Sequence, residues 1–144
     1  MIYTELTKKA MNICFRAHRD QFDKSGVPYV FHPIHLAEQM TDEITTIAAL
    51  LHDVVEDSAI TLKELSSMGF PPEAIRAVDL MTHRENIPYP DYIAAIGQNP
   101  VARAVKLADL RHNSDITRLS TVTEQDLQRR RKYLHAIQLL ENPR

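Results

Sequence analysis

Residues 50–58, LLHDVVEDS, place one imidazole and three carboxylates within six positions, directly after an apolar run. If a helix runs through this segment, His52 shares one face with Glu56, four residues later. Asp53 and Asp57 share a second face at the same spacing. Three acids at a helix C-terminus are unfavourable, because that end of the helix dipole is negative. The segment therefore predicts a bound cation, with a solvated helix end as the alternative.

A metal ion needs ligands beyond this segment, and two further residues are candidates. His32 lies in VFHPIH, and Asp109 lies in VKLADLRHN, four residues after Val105 on an otherwise apolar helix. A helix start and a surface carboxylate are the plain alternatives, but an unpaired buried carboxylate is costly. With His52 and Asp53, these residues make a set of two imidazoles and two carboxylates. Such a set suits Mn²⁺, Fe²⁺ or Mg²⁺ better than a closed structural Zn²⁺ site.

The segments that carry these residues have apolar side chains at spacings of three and four, which is the helical period. Caps and prolines mark several helix starts, such as Asp42 and Pro100. The predicted helices cover residues 5–22, 33–40, 42–51, 61–69, 72–81, 92–96, 100–112 and 123 onward. The shared faces described for residues 52–57 require the helix at 42–51 to continue to residue 57. The last helix is expected to turn Leu127, Leu134, Ile137 and Leu140 inward. No segment alternates with a period of two, so the sequence predicts an all-α fold with short loops.

Composition limits the classes of protein that fit. The chain has 144 residues, 44% hydrophobic and 25% charged, which is typical of one globular domain over residues 1–144. A net charge of −2 and no basic block longer than RRRK argue against nucleic-acid binding. No run approaches a membrane span, and the first residues lack a signal-peptide pattern. The single cysteine, Cys14, fits a reducing compartment, so a cytoplasmic location is expected.

Four segments carry a resemblance to a known family: AHRDQFDKSGVPYVFHP, AALLHDVVEDS with TLKEL after it, NPVARAVKLADLRHN, and RRRKYLHAI. The order of His32, the His52–Asp53 pair and Asp109 resembles the HD-domain phosphohydrolases. The match is closer to the hydrolase domain of the Rel/SpoT family and to the small alarmone hydrolases. The segments cover nearly the whole chain. An HD dipeptide alone is weak, but HDxxED between SGxPYxxHP and VKLADxxHN is specific.

This resemblance implies an all-α HD-type hydrolase domain with its metal site in a central cleft. It implies Mn²⁺-dependent removal of the 3′-diphosphate of guanosine tetra- or pentaphosphate as pyrophosphate, leaving GDP or GTP. Glu56 and Asp57 would be the acidic pair that handles the attacking water. The chain ends where the hydrolase domain ends, which implies a hydrolase without the family's synthetase. The residues that match substrate contacts are Lys24, Ser25, Asn113 and Tyr133, with Arg129 as a looser match.

The residues themselves leave alternatives for these contacts. Lys24 is either a phosphate-binding cation or a solvated loop lysine, and Arg129 lies in a partly exposed basic run. Asn113 follows Asp109 by four residues and faces the same cleft, unless it ends the helix as a cap. Tyr133 could instead lie at the edge of the core. The remaining histidines have no spacing that suggests ligation and are expected to be structural: His18, His35, His83, His112 and His135.

One position departs from the family pattern. Asp23 stands where the family usually has Arg, and Asp20 stands where Gly is common. An acid at position 23 replaces a group that can stack on a purine and meet phosphate, so the base preference is open. A metal phosphohydrolase for another nucleotide, such as a 3′-phosphorylated dinucleotide or a nucleoside monophosphate, is therefore the second hypothesis. A non-catalytic nucleotide-binding module is the third. The oligomeric state is not predicted.

Overall fold

Helix starts coincide with side chains that satisfy the free backbone N–H groups of a first turn. Thr4, Asp42, Thr61, Asn99 and Thr123 each accept such a hydrogen bond. The computed structural model describes residues 1–143. Its helices are α1 (Glu5–His18), α2 (Phe31–Glu38), α3 (Glu43–Leu51), α4 (Val54–Asp57), α5 (Leu62–Ser67), α6 (Pro72–Met81), α7 (Tyr89–Gly97), α8 (Pro100–Asn113) and α9 (Glu124–Glu141), with a 3-10 turn at Ile116–Arg118.

The predicted all-α fold is confirmed. Residues 1–143 contain no β-strand, and Phe22 and Pro28 form an isolated bridge in the loop before α2. Helix α3 is the centre of the core, because it packs against α1, α2, α6 and α8. Leu50 and Leu51 at its end are fully buried, and each contributes roughly 1.5–3 kcal/mol of hydrophobic stabilisation. None of the helices in this described part of the chain is long and apolar enough to cross a lipid bilayer.

The condition that one helix continues from residue 42 to residue 57 is not met. The segment divides into α3 and α4, with a turn at His52 and Asp53. The His52 Nδ1–H donates to the Ala49 carbonyl oxygen at 2.7 Å. The argument from residues four apart on one helix therefore does not apply to His52 and Glu56, whereas the Asp57 N–H still donates to the Asp53 carbonyl at 2.9 Å. Instead, the turn separates two ligand candidates from the acids of α4.

Two other predictions differ from the structure. The first helix ends at His18 rather than at Phe22, because Gln21 turns back to bond the His18 ring at 2.8 Å. The Gln21 amide also donates to the Asp57 carbonyl at 2.7 Å, which ties this loop to α4. Leu134 is exposed rather than buried, since Ala136 and Leu140 supply the buried face of α9.

Candidate active site

Four predicted metal ligands lie together where α2, α8 and the turn between α3 and α4 meet. His32 Nε2 is 2.9 Å from Asp109 Oδ1. His52 Nε2 is 3.0 Å from Asp53 Oδ2 and 3.7 Å from Asp109 Oδ1. Ligand atoms of His32, His52 and Asp109 all lie within 4.8 Å of one another. The His32, His52 and Asp109 side chains are buried, so these polar groups need a partner inside the protein.

The imidazole of His52 tests whether this cluster fits a cation. Its Nδ1–H donates to the Ala49 carbonyl, so Nε2 is the nitrogen that faces the carboxylates. That Nε2 is buried and lies close to both acids, yet it has no partner with hydrogen-bond geometry in residues 1–143. A buried ring nitrogen beside two carboxylates, with the second ring nitrogen held by a carbonyl, becomes the donor arrangement of a divalent metal site when an ion replaces the proton on that nitrogen. The residues therefore fit a divalent ion.

His32 is held in a comparable way by a residue that was expected to be structural. Its Nδ1 lies 2.7 Å from Nδ1 of His112 on α8, and the two rings are nearly parallel. Burial and the charge of Arg118 lower the pKa of His112 to about 4, so this ring is neutral at pH 7. A neutral ring can accept the Nδ1–H of His32, which leaves His32 Nε2 facing Asp109. The sequence signal was present, since His112 follows Asp109 by three residues on one helix.

The two carboxylates also have partners that the sequence analysis missed. The Tyr29 hydroxyl donates to Asp53 Oδ2. Lys106 Nζ donates to Asp109 Oδ2 at 2.9 Å, and the Asn113 amide donates to Asp109 Oδ1 at 3.0 Å. The Lys106–Asp109 contact could have been found, because the two residues are three apart on a helix. Asn113 is the last residue of α8, and its amide points to the ligand cluster rather than capping the helix.

Charges in the cluster lower the pKa of the two carboxylates and raise the pKa of His52. Burial opposes ionisation of Asp109, but the adjacent Lys106 ammonium and the two imidazoles hold its pKa well below the usual range. Burial likewise opposes ionisation of Asp53, yet the charge of His52 lowers the Asp53 pKa to about 2. The pKa of His52 is raised well above its ordinary value, because the two acids outweigh burial of the ring. Both carboxylates are therefore ionised at neutral pH.

Glu56 and Asp57 lie beside this cluster rather than within it. Glu56 Oε1 accepts the backbone N–H of His83. Burial, followed by the charge of Asp53 among the raising influences, raises the pKa of Glu56. The pKa of Asp57 is raised for the same two reasons. These two carboxylates thus have a higher proton affinity than ordinary surface acids, partly because the negative charge of Asp53 is close to them.

A cavity of about 350 Å³ adjoins the cluster and contains all five predicted substrate contacts. Tyr29 and Asn113 line this cavity and also bond the ligands Asp53 and Asp109, so they connect the two sites. The cavity is lined by Phe22, Asp23, Lys24, Ser25, Tyr29, Asn113, Asp115, Ile116, Arg118, Leu119, Asp126, Arg129, Arg130 and Tyr133.

Hydrogen bonds fix several of these side chains. Asp126 Oδ1 lies 3.3 Å from Lys24 Nζ and 3.2 Å from Arg129 Nη1, so one carboxylate holds two cations from different elements. The Ser25 hydroxyl donates to the Arg118 carbonyl at 3.0 Å and accepts the Ser120 N–H at 3.1 Å. Ser25 therefore joins its loop to the 3-10 turn. The positive φ of Gly26, 82°, gives this loop its reversal.

Asp23, the departure noted in the sequence, has defined partners. Its Oδ1 accepts the N–H groups of Ser25 at 2.8 Å and Val27 at 3.0 Å. Its Oδ2 lies 3.8 Å from Arg118 Nη2. The carboxylate thus caps the loop and lies near a cation of the 3-10 turn. Arg118 was not singled out from the sequence, because its pairing depends on residues 95 positions apart.

No family model matches the sequence. The human guanosine-3′,5′-bis(diphosphate) 3′-pyrophosphohydrolase MESH1 is 37% identical over 118 residues, covering 73% of this chain and 65% of the human protein. A probable GTP pyrophosphokinase of Mycobacterium leprae is 33% identical over 121 residues, covering 75% of this chain and 15% of that protein. The chain thus spans just under two thirds of the human relative and less than a fifth of the bacterial one.

A solved structure shows the same arrangement of helices. It is that of a metazoan ortholog of SpoT, described as hydrolysing ppGpp and acting in starvation responses. It matches with a TM-score of 0.74 and 25% sequence identity, over 97% of this chain and 85% of that one. The chain is therefore a homologue of the Rel/SpoT GTP pyrophosphokinases and of the MESH1 hydrolase, and it has the helical fold of a SpoT-type hydrolase.

Proposed function

We propose that residues 1–144 form a hydrolase domain that removes the 3′-diphosphate of guanosine tetra- or pentaphosphate as pyrophosphate, leaving GDP or GTP. The observation that carries this proposal is the direct connection between the ligand cluster and a cavity lined by cations. Tyr29 and Asn113 each line the cavity and bond a ligand carboxylate. The 3′-pyrophosphohydrolase activity for which MESH1 is named and the ppGpp hydrolysis described for the SpoT ortholog support the same reaction.

His32, His52, Asp53 and Asp109 would hold one divalent ion, and we propose Mn²⁺, with Fe²⁺ and Mg²⁺ as alternatives. Two imidazoles and two carboxylates form a mixed donor set that suits these ions. The bound ion would neutralise phosphate charge and activate water for attack on phosphorus. Within the chain, Ala49 and His112 orient the two imidazoles, while Tyr29 and Lys106 hold the two carboxylates.

In the hydrolysis, the oxygen of water bonds to the phosphorus attached to O3′, and the bond from that phosphorus to O3′ breaks. One proton leaves the water, and O3′ recovers one. We propose that Glu56 accepts the proton from water, because burial raises the pKa of Glu56. Asp57 would orient the water beside it. A positioned general base of this kind contributes about 10²–10⁴-fold to the rate.

The polyanionic substrate would occupy the cavity of about 350 Å³ beside the cluster. Lys24 and Arg129 are proposed to meet its phosphates, since both lie on the cavity wall within reach of one another through Asp126. Asn113 and Tyr133 would contact the nucleotide where the cavity joins the cluster. Ser25 has its hydroxyl in two backbone hydrogen bonds, so its proposed contribution is to shape the loop.

A second candidate is a hydrolase of the same mechanism that acts on another nucleotide, such as a 3′-phosphorylated dinucleotide or a nucleoside monophosphate. The carboxylate of Asp23 in the cavity wall favours this alternative, because it is an acid beside a polyanionic ligand. The two candidate functions are distinguished by incubating the protein with a panel of nucleotides, with Mn²⁺ or with chelator, and identifying the products. We expect pyrophosphate and GDP from guanosine tetraphosphate, and no product with chelator. Orthophosphate from another nucleotide alone would favour the second candidate.

Two substitutions separate the ligand role from the base role. Asp53→Asn is expected to lose bound metal and turnover together. Glu56→Gln should keep the metal while turnover falls by about 10²-fold or more, because only a proton acceptor is removed. Glu73→Gln, an exposed carboxylate in the first turn of α6, is the matched control. Equal metal loss in Asp53→Asn and Glu56→Gln would make Glu56 a ligand and overturn its assignment as the base.

A further inference from the structure

Arg118 differs from the other cations of the cavity in how it is held. Lys24 and Arg129 each pair with Asp126 at 3.2–3.3 Å. The Nε of Arg130 donates to the Ser114 carbonyl. The Arg118 Nη1 donates to the His112 carbonyl at 2.9 Å, which anchors one side of the guanidinium. Its Nη2 lies 3.8 Å from an Asp23 oxygen, beyond hydrogen-bond distance.

The Asp23 carboxylate only partly neutralises this guanidinium. Its Oδ1 is already occupied by the N–H groups of Ser25 and Val27. The second oxygen attracts Arg118 without bonding it, and the Arg118 side chain remains 26% exposed. Arg118 is therefore anchored by the His112 carbonyl, and part of its donor edge and face remains available to a ligand.

The lining of the cavity offers two kinds of chemistry. Phe22, Ile116 and Leu119 line it with apolar side chains, as Arg118 does with its guanidinium. Lys24 and Arg129 lie close together, because both pair with Asp126. A nucleotide also combines two kinds of chemistry, with a flat base at one end and charged phosphates at the other. The apolar side chains and Arg118 fit the base, and the paired cations fit the phosphates.

We propose that Arg118 is a substrate-binding residue whose planar guanidinium packs against the nucleobase. A guanidinium stacks on aromatic faces, which an ammonium does not do as well. The inference rests on the proposed function, since it assigns a binding residue to the base of the nucleotide that the proposed reaction cleaves. It also accounts for Asp23. Arg118 supplies the positive group that is missing at position 23, and Asp23 caps the loop beside it.

Arg118→Ala and Arg118→Lys test this assignment in the full-length, Mn²⁺-loaded protein. The KM for guanosine tetraphosphate and the Kd for GDP, measured calorimetrically, should each rise about tenfold in both variants, because a stacked guanidinium is lost in each. The kcat should stay within about twofold, since binding that is equal in the ground and transition states changes KM alone. Arg111→Ala is the matched control, because Arg111 on α8 pairs with Glu141 at 2.8 Å outside the cavity.

The outcomes distinguish this inference from the proposed reaction. Wild-type affinity in Arg118→Lys would show that only charge matters, and it would overturn base stacking. Unchanged KM and Kd in Arg118→Ala would remove Arg118 from the site altogether. A fall in kcat or in Mn²⁺ affinity as large as the rise in KM would indicate a disturbed fold and would also overturn the assignment.

The GDP measurement remains decisive if the proposed reaction fails. If the wild type binds GDP but releases no pyrophosphate, the proposed reaction is wrong. The ratio of the Kd for GDP in Arg118→Ala to that in wild type still tests whether Arg118 contacts the base. A tenfold ratio would support the inference in that case, and a ratio near one would overturn it. A wild type that binds no GDP would overturn the contact with the base, while the reaction is still judged by the release of pyrophosphate.

Discussion

Nδ1 of His32 and Nδ1 of His112 lie 2.7 Å apart, with 6° between the ring planes. One proton is shared between these two nitrogens, so the ring that donates decides which His32 tautomer is present. Metal binding through His32 Nε2 requires the proton on Nδ1, donated to His112. The neutral state of His112 at pH 7, given a pKa of about 4, allows it to accept. We therefore infer that His112 orients His32, one of the proposed metal ligands.

We predict that His112→Phe weakens Mn²⁺ binding by about 10–100-fold, the usual effect of removing a partner that orients a ligand. Phenylalanine keeps a flat ring against His35 but offers no acceptor. His112→Gln should restore much of the affinity, because its side-chain oxygen can accept the His32 Nδ1–H. Titration of the metal-free proteins with Mn²⁺ measures both. Equal affinities in His112→Phe and wild type would show that His112 plays no part in orienting His32.

The helix starts could be predicted because their causes are local. Asp42 and Thr123 cap the residues that directly follow them, and Pro100 lies within the first turn of α8. The end of α1 could not be predicted in this way. It depends on Gln21 reaching the carbonyl of Asp57, a contact that exists only after α1 and α4 have packed. The break at His52 and Asp53 likewise requires the folded core.

The candidate site, too, could be predicted where its signals are local and could not be predicted where they depend on the folded chain. The sequence grouped His32, His52, Asp53 and Asp109. The structure brings ligand atoms of three of them within 4.8 Å of one another, and it places Asp53 3.0 Å from His52. Asp23 was interpreted as a negative charge in place of a stacking group, and the folded loop uses one of its oxygens as a cap and turns the other towards Arg118. Partners so distant in sequence leave no periodic signal, so Arg118 was identified only from the folded structure.

The pH dependence of turnover should report Glu56. Burial raises the pKa of Glu56, and the charge of Asp53 acts in the same direction. Only the ionised carboxylate accepts a proton, so kcat should fall as the pH drops through this raised pKa. The acidic midpoint should thus lie above the value of about 4.3 that is typical of an exposed glutamate. The kcat is measured from pH 5 to 9 with Mn²⁺ occupancy checked at each pH. Residual activity of Glu56→Gln that follows the same profile would assign the proton to another group.

Cys14 offers a measure of metal-linked stability. It is fully buried, and burial, followed by the charge of Asp53, raises its pKa to about 12. At pH 8 the folded thiol should not react with a disulfide reagent, so modification proceeds through unfolding. Binding to the native state alone stabilises it by RT ln(1 + [L]/Kd), so Mn²⁺ at 100 times its Kd should slow labelling about 100-fold. Asp53→Asn is the control, and it should show little or no slowing. A labelling rate of the wild type that is the same with and without Mn²⁺ would contradict a metal site in the native state.

The last prediction concerns the buried ion pair of α8. Lys106 Nζ lies 2.9 Å from Asp109 Oδ2, and the two side chains are 14% and 7% exposed. Lys106→Met keeps most of the apolar stem but leaves Asp109 without its ammonium partner. Breaking such a pair typically costs about 3–5 kcal/mol, so the metal-free variant should unfold at a markedly lower denaturant concentration.

Mn²⁺ should reduce the difference in stability between Lys106→Met and wild type, because a divalent ion beside Asp109 replaces part of the missing positive charge. The rise in denaturation midpoint on adding Mn²⁺ should therefore be larger in Lys106→Met than in wild type. Lys63→Met on α5 removes an exposed lysine and should change neither midpoint nor metal response. If Lys106→Met loses stability without gaining any extra response to Mn²⁺, Lys106 supports the fold alone and does not share the charge of Asp109 with a metal.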